Sequence, residues 1–233
     1  MILEQNLLNM FPRIVGIGDS LMSGELCPEQ GVYIDRWEFS WLACLCRRCG
    51  AKANILSMGG LSVETWLNLF SHFHNIDPVK YPLYFISLGS NDFGGYQMPI
   101  GNIDDKGDAK TYIGWYKSII DLIKSKSEKS IILCCSMYSD ESDKNEKGMT
   151  RGEYNNAVKA ITELYDRCYY LDFINNTENS LSTTKDQAFG HYDSVGYYKV
   201  ALDMERLANK VLLEHIDDLR MLALDFPSKH GEF

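Results

Sequence analysis

Arg13-Ile14-Val15-Gly16-Ile17-Gly18-Asp19-Ser20-Leu21 is an apolar run that stops at a glycine, an aspartate and a serine. The run is short and carries β-branched residues without polar alternation, so it reads as a strand buried on both faces, the kind that builds a parallel sheet. A strand that ends in Gly18-Asp19-Ser20 places a hydroxyl at its carboxyl end, where Gly18 lets the backbone turn sharply. The next helix would present its first amides to negative charge forming on a substrate. The same residues have a plainer use, because Asp and Ser also cap helix N-termini. On this stretch alone, nucleophile loop and helix cap both stand.

Outward from this stretch, apolar runs and amphipathic segments alternate. Trp37, Trp41, Leu42 and Leu45 fall on a helix expected over residues 35–48, followed by the strand-like Ala53-Asn54-Ile55-Leu56. Val63, Trp66, Leu67 and Phe70 have helical spacing within 62–73, and Leu83-Tyr84-Phe85-Ile86-Ser87-Leu88 reads as a third strand. Residues 110–124 are helical, with Ile113, Tyr116, Ile120 and Ile123 on one face. A fourth strand over 131–137, a helix over 151–166, a short strand over 168–172 and a helix over 194–215 complete the pattern. The expectation is an α/β protein: a flavodoxin-like three-layer α/β/α sandwich on a five-stranded parallel sheet in 2-1-3-4-5 order. Nothing reads as a linker, so residues 1–233 form one domain, with a core of about 13–213 and a tail over 214–233. Two polar loops, 138–150 and 173–190, are long enough to be functional.

The formal net charge of −9 argues against a nucleic-acid partner and against an anionic membrane surface, both of which need a basic face. The N-terminus carries Glu4 where a secretory signal needs basic residues, and no segment approaches the ~20 apolar residues that span a bilayer. Seven cysteines, mostly within apolar periodic stretches, suit free buried thiols and a reducing, cytoplasmic setting. Cys44, Cys46 and Cys49 lack the paired spacing and the fourth ligand of a zinc site and are expected in a helix. Cys134 and Cys135 are expected as packing residues on opposite faces of a strand. No metal and no organic cofactor are implied.

Open parallel sheets bind ligands at the carboxyl ends of their strands. The ends of the first three strands read Gly18-Asp19-Ser20-Leu21, Ser57-Met58-Gly59-Gly60-Leu61-Ser62 and Gly89-Ser90-Asn91-Asp92. They supply a hydroxyl, a glycine-rich turn with amides ahead of a helix, and an asparagine amide, which is equipment for acyl transfer. The base that is still needed is available in Gly190-His191-Tyr192-Asp193-Ser194, after a loop long enough to reach back across the sheet.

With these blocks in hand the chain resembles the SGNH, or GDSL-type, serine hydrolases over about residues 13–213. The blocks that carry the resemblance are Gly18-Asp19-Ser20-Leu21 with Gly24, the Gly59-Gly60-Leu61-Ser62 turn, Gly89-Ser90-Asn91-Asp92, and His191 followed by Gly196-Tyr197. The resemblance implies Ser20 as nucleophile and His191 as base. It also implies an oxyanion hole from the Ser20 amide, the Ser62 or Gly60 amide, and the Asn91 side chain. The second block departs from the family's Asn-x-x-x-x-Gly, having Ser57 in the first place and Ser62 in the last.

A second departure concerns the histidine. The family commonly places an aspartate three residues before it, and here that position is Ala188. Replacements are Asp186, Asp193 or a backbone carbonyl accepting from the imidazole. Asp193 reads as the cap of the helix that follows and Asp186 as a loop charge, so a Ser-His dyad held by a backbone carbonyl is the expectation. His72 and His74 read as helix-end groups, His215 and His230 as surface groups, and Trp37, Trp66 and Trp115 as core. The expected activity is that of a serine esterase acting on a short-chain acyl ester, such as an acetyl group on a carbohydrate. The partner is then a small-molecule or carbohydrate ester, and nothing in the sequence specifies an oligomeric state. The alternative is a non-catalytic binding or structural protein that keeps the fold. A phosphate-binding module is disfavoured because no Gly-rich phosphate loop follows the first strand.

Overall fold

β1 (Arg13–Gly18) is buried along nearly its whole length because a parallel neighbour flanks it on each side and helices cover both faces. The computed structural model describes residues 6–70, 83–138, 140–178, 187–188 and 190–225. After β1 come α1 (Ser20–Ser23), the strands β2 (Leu26–Glu29) and β3 (Val32–Ile34), α2 (Trp41–Cys49), β4 (Lys52–Ser57) and α3 (Val63–Phe70). The middle of the chain forms β5 (Leu83–Ser87), α4 (Ser90–Phe93), α5 (Tyr112–Lys126), β6 (Ile131–Cys135), α6 (Arg151–Thr162) and β7 (Cys168–Leu171). A small hairpin of β8 (Gln187–Ala188) and β9 (His191–Tyr192) leads into α7 (Ser194–Glu214) and α8 (Ile216–Asp225).

The main sheet has five parallel strands in the order β4-β1-β5-β6-β7, which is the 2-1-3-4-5 order expected from the sequence. Successive strand residues face opposite ways, and this sorts the core into two halves. Ile14, Leu83, Phe85, Ile131, Leu133 and Cys135 pack with α2 and α7. Val15, Ile17, Tyr84, Ile86, Ile132 and Cys134 pack with α3, α5 and α6. Each fully buried Leu, Ile or Phe here contributes roughly 1.5–3 kcal/mol. The two layers together hold the strand ends in place.

Two of the differences from the sequence expectation bear on the site. The β2–β3 hairpin is absent from that expectation, because its strands are only four and three residues long and Pro28 interrupts the ladder donors of β2. The helix expected over 35–48 is split into a single 3-10 turn at Trp37–Phe39 and α2 from Trp41. Ser40 makes the break: its backbone is extended, at ψ 149°, and its Oγ accepts from the Ala43 amide at 3.0 Å, capping α2. The loop over 138–150 is organised by Asn145, whose Oδ1 accepts from the Lys147 and Met149 amides while its Nδ2 donates to the Phe93 carbonyl. No helix among the described residues is long and apolar enough to cross a membrane.

Candidate active site

Gly18 is the register partner of Ser57 on one side and of Ser87 on the other, so β4, β1 and β5 finish level. The three segments that leave these ends are 19–20, 58–61 and 88–91, and they are neighbours for that reason alone. Ser20 is the first residue of α1, and Asp19 is its cap, with Oδ1 accepting from the Leu21 amide at 3.0 Å. The cap reading therefore applies to Asp19, which leaves Ser20 at the head of the helix. Ser20 is 7% exposed, and among the described residues its Oγ has no hydrogen-bond partner. α1 stops after one turn because Gly24 adopts the left-handed conformation, φ 71°, with the Arg36 carbonyl so near that a Cβ would lie 2.5 Å from its oxygen.

The turn after β4 has its amides unequally committed. The Gly59 amide points to Asp35 Oδ2 at 3.4 Å, and the Ser62 amide donates to Thr65 Oγ1 at 2.7 Å. Gly60, at φ 77°, has an amide with no partner among the described residues. Of the two amides expected from the sequence, the one at Ser62 is thus occupied and the one at Gly60 is available. Asn91, in α4, reaches the same turn, its Nδ2 donating to the Leu61 carbonyl at 3.0 Å. Its neighbour Asp92 caps α3 from a distance, accepting from the Val63 amide with both oxygens at 3.1 and 3.2 Å.

His191 opens β9, which packs against α1, β2 and α7. Ala188 is its register partner in β8, so the residue three positions earlier sits directly across from it and brings no carboxylate. Asp193 caps α7, with Oδ1 accepting from the Gly196 amide at 2.7 Å, and Asp186 lies outside the described residues. The carboxylate that meets the imidazole belongs to Glu25, whose Oε1 is 2.9 Å from His191 Nε2. Both side chains are largely buried, and the Tyr33 ring packs edge-on against the imidazole at 5.5 Å between centroids. Sequence reasoning missed Glu25. The available signal was an acid directly after Gly24, in an otherwise uncharged stretch that starts at Ser20.

Two buried carboxyls set the local electrostatics. Burial pushes Asp19 up to about 7, against the opposing effects of the Leu21 amide and the charge of His191. Burial likewise pushes Asp92 up to about 7, again opposed by its bonds to the Val63 amide. Removing a carboxylate from water penalises its charged form, and the amides recover only part of that penalty.

The remaining candidates separate by exposure. Trp66 is fully buried, with its indole N–H on the Leu56 carbonyl, and Trp115, within α5, is partly buried against the core. Trp37 departs from the core expectation: it is 45% exposed, and its indole N–H donates to the Ser57 carbonyl at 3.0 Å, at the very end of β4. Tyr96 is 51% exposed and reaches the Gly60 carbonyl with its hydroxyl. Cys44, Cys46 and Cys49 are buried in α2, as expected, and Cys135 and Cys134 fall in the two opposite core layers. His215 stacks on Tyr169, while His72, His74 and His230 lie outside the described residues.

A model of the GDSL-like lipase/acylhydrolase family matches residues 17–198. No curated protein is similar to the chain in sequence. Among solved structures, a carbohydrate esterase family 2 enzyme with a carbohydrate-binding domain, from Corynascus thermopiles (Myceliophthora fergusii), superposes with a TM-score of 0.64 at 13% identity. That match covers 87% of this chain and 66% of the other. A family two carbohydrate esterase from Clostridium thermocellum, solved in complex with cellohexaose, gives 0.59 at 16% identity over 88% and 65% of the two chains. A structure described as a GDSL-like lipase from Bacteroides ovatus gives 0.60 at 16% identity, over 86% of this chain and 99% of the other. The two carbohydrate esterases are longer proteins, of which this chain spans about two thirds.

Proposed function

The chain belongs to the GDSL-like lipase/acylhydrolase family and is a hydrolase of ester bonds, and we propose that it removes a short acyl group, such as an acetyl on a carbohydrate, through an acyl-serine intermediate. The observation that supports this reading is the level finish of β4, β1 and β5, from which the segments bearing Ser20, Asn91 and the Gly60 amide, unpartnered among the described residues, leave one end of the sheet. In the first half-reaction Ser20 Oγ attacks the acyl carbon while its proton passes to His191. The carbonyl oxygen becomes an oxyanion held by the Ser20 and Gly60 amides and Asn91 Nδ2. Collapse of this intermediate breaks the bond to the alcohol, which leaves with the proton from His191. Water then attacks the acyl carbon as His191 takes its proton; the bond to Ser20 Oγ breaks, His191 returns the proton to Oγ, and the acid departs.

The carbohydrate reading is supported by the border of the site. Tyr33, Trp37 and Tyr96 are each about half exposed; Trp37 is tied through its indole N–H to the last residue of β4, and Tyr96 through its hydroxyl to the turn that follows. Aromatic bodies with anchored polar tips suit the apolar faces of a sugar ring. The kinship in fold to carbohydrate esterases agrees with this. The test is hydrolysis across acyl chain lengths and acetylated sugars, combined with a fluorophosphonate probe on wild type and Ser20→Ala. The expected result is labelling and acetyl-ester turnover in wild type, with both abolished in Ser20→Ala while the thermal midpoint is retained. Wild-type turnover in Ser20→Ala overturns the mechanism, and a folded wild type that neither labels nor hydrolyses favours the non-catalytic binding protein.

A further inference from the structure

We propose that Glu25 is the positioning acid of this hydrolase, taking over at His191 the part that the acid missing at Ala188 would play. The proposal rests on the reading of Ser20 and His191 given above. Glu25 Oε1 lies 2.9 Å from His191 Nε2, with the two side chains 10% and 15% exposed, so water screens the pair poorly. Its backbone is held at both ends: the Glu25 amide donates to the Ser20 carbonyl at 3.0 Å, and the Tyr197 hydroxyl donates to the Glu25 carbonyl at 2.7 Å. Nucleophile and acid therefore come from a single turn of chain, closed by Gly24. The carboxylate is seated over Gly59, where a Cβ would stand 2.0 Å from Oε2, so the second glycine-rich block leaves the space that Glu25 fills.

The pairing fixes the tautomer. An ionised carboxylate only accepts, so Nε2 carries the hydrogen and Nδ1 holds the lone pair of the neutral ring. The Ser20 Oγ–H proton then passes to Nδ1 as the bond from Oγ to the acyl carbon forms. The resulting imidazolium faces the Glu25 carboxylate, and no proton moves to Glu25. Among the described residues, Asp19 at the head of α1 and Tyr33 from β3 also face this ring, while Tyr197 from α7 and Asp35 lie on the Glu25 and Gly59 side. Among them Glu25 alone is within ion-pair distance of the ring in the described structure.

The test uses Glu25→Gln, which keeps the shape and removes the charge, and Gly59→Ala, which displaces the carboxylate. In Gly59→Ala the new methyl meets the far end of a flexible side chain, so the carboxylate moves and the fold is kept. Both variants are expected to lose about 10²–10⁴ in kcat/KM with thermal midpoints near wild type. The acid limb of the kcat/KM–pH profile is expected to move about one unit or more to lower pH, because the charge that favours imidazolium is gone. If both variants keep kcat/KM within tenfold of wild type and the same acid limb, or exceed wild type, Glu25 has no positioning role. Fluorophosphonate labelling of wild type separates the two ideas: an unlabelled wild type counts against the acyl-serine reading, whereas a labelled wild type with unaffected variants counts against Glu25 alone. If Glu25→Gln does not fold, Gly59→Ala decides.

Discussion

Asn91 Nδ2 donates to the Leu61 carbonyl at 3.0 Å, a bond that ties the segment leaving β5 to the turn leaving β4. A primary amide has two hydrogens on nitrogen, so one is spent on this tie and the other remains for an oxyanion. Asn91→Ala is expected to lower kcat by about 10²–10³ with little change in KM, the usual loss for a side-chain oxyanion donor. Steady-state kinetics on an acetate ester check this. A change in KM with kcat preserved would move Asn91 from transition-state stabilisation to substrate binding.

Asp19 and Asp92 make stability depend on pH in an unusual direction. Both are pushed from 3.8 up to about 7 by burial, so between these values the folded protein holds protons that the unfolded chain has released. Their contribution is fully present below about 4 and is lost as pH rises through about 7. Asp92→Asn keeps an acceptor for the Val63 amide and removes the titration. Stability of Asp92→Asn relative to wild type is therefore expected to rise between pH 4 and pH 7 and then level off. Denaturant melts of the two proteins across this range measure it, and a flat difference would show that Asp92 titrates normally.

The sequence displays the strand ends plainly because β1, β5 and β6 are buried on both faces and therefore carry nearly unbroken apolar runs that stop at Gly18, Ser87 and Cys135. Because β4 and β5 pair with β1 on either side, the segments that carry Ser20, Gly60 and Asn91 leave the sheet side by side. The β2–β3 hairpin is hidden because strands so short leave no period to detect, and with it the exposure of Tyr33 and Trp37 is hidden too. The contact of Glu25 with His191 joins residues far apart in the chain. Only the packing of β9 against α1 creates it, and no local spacing announces it. Ser62 failed as a free donor for an equally local reason: Thr65, one turn on, has a hydroxyl within reach of its amide.

Asp193 is adjacent to His191's strand, yet its Oδ1 is committed to the Gly196 amide at 2.7 Å at the start of α7. Asparagine caps a helix as well as aspartate does, whereas alanine costs about 1 kcal/mol. Asp193→Asn is accordingly expected to leave both the thermal midpoint and kcat/KM near wild type, the latter within about tenfold. Asp193→Ala is expected to lose about 1 kcal/mol of stability with kcat/KM again within about tenfold, since the lost group acts on the helix and not on the imidazole. Chemical denaturation and ester kinetics on the pair separate these effects. A thousandfold loss of kcat/KM in Asp193→Asn at unchanged stability would transfer the orienting role from Glu25 to Asp193, because a neutral cap of the same shape differs from the wild type only in the charge it offers to His191.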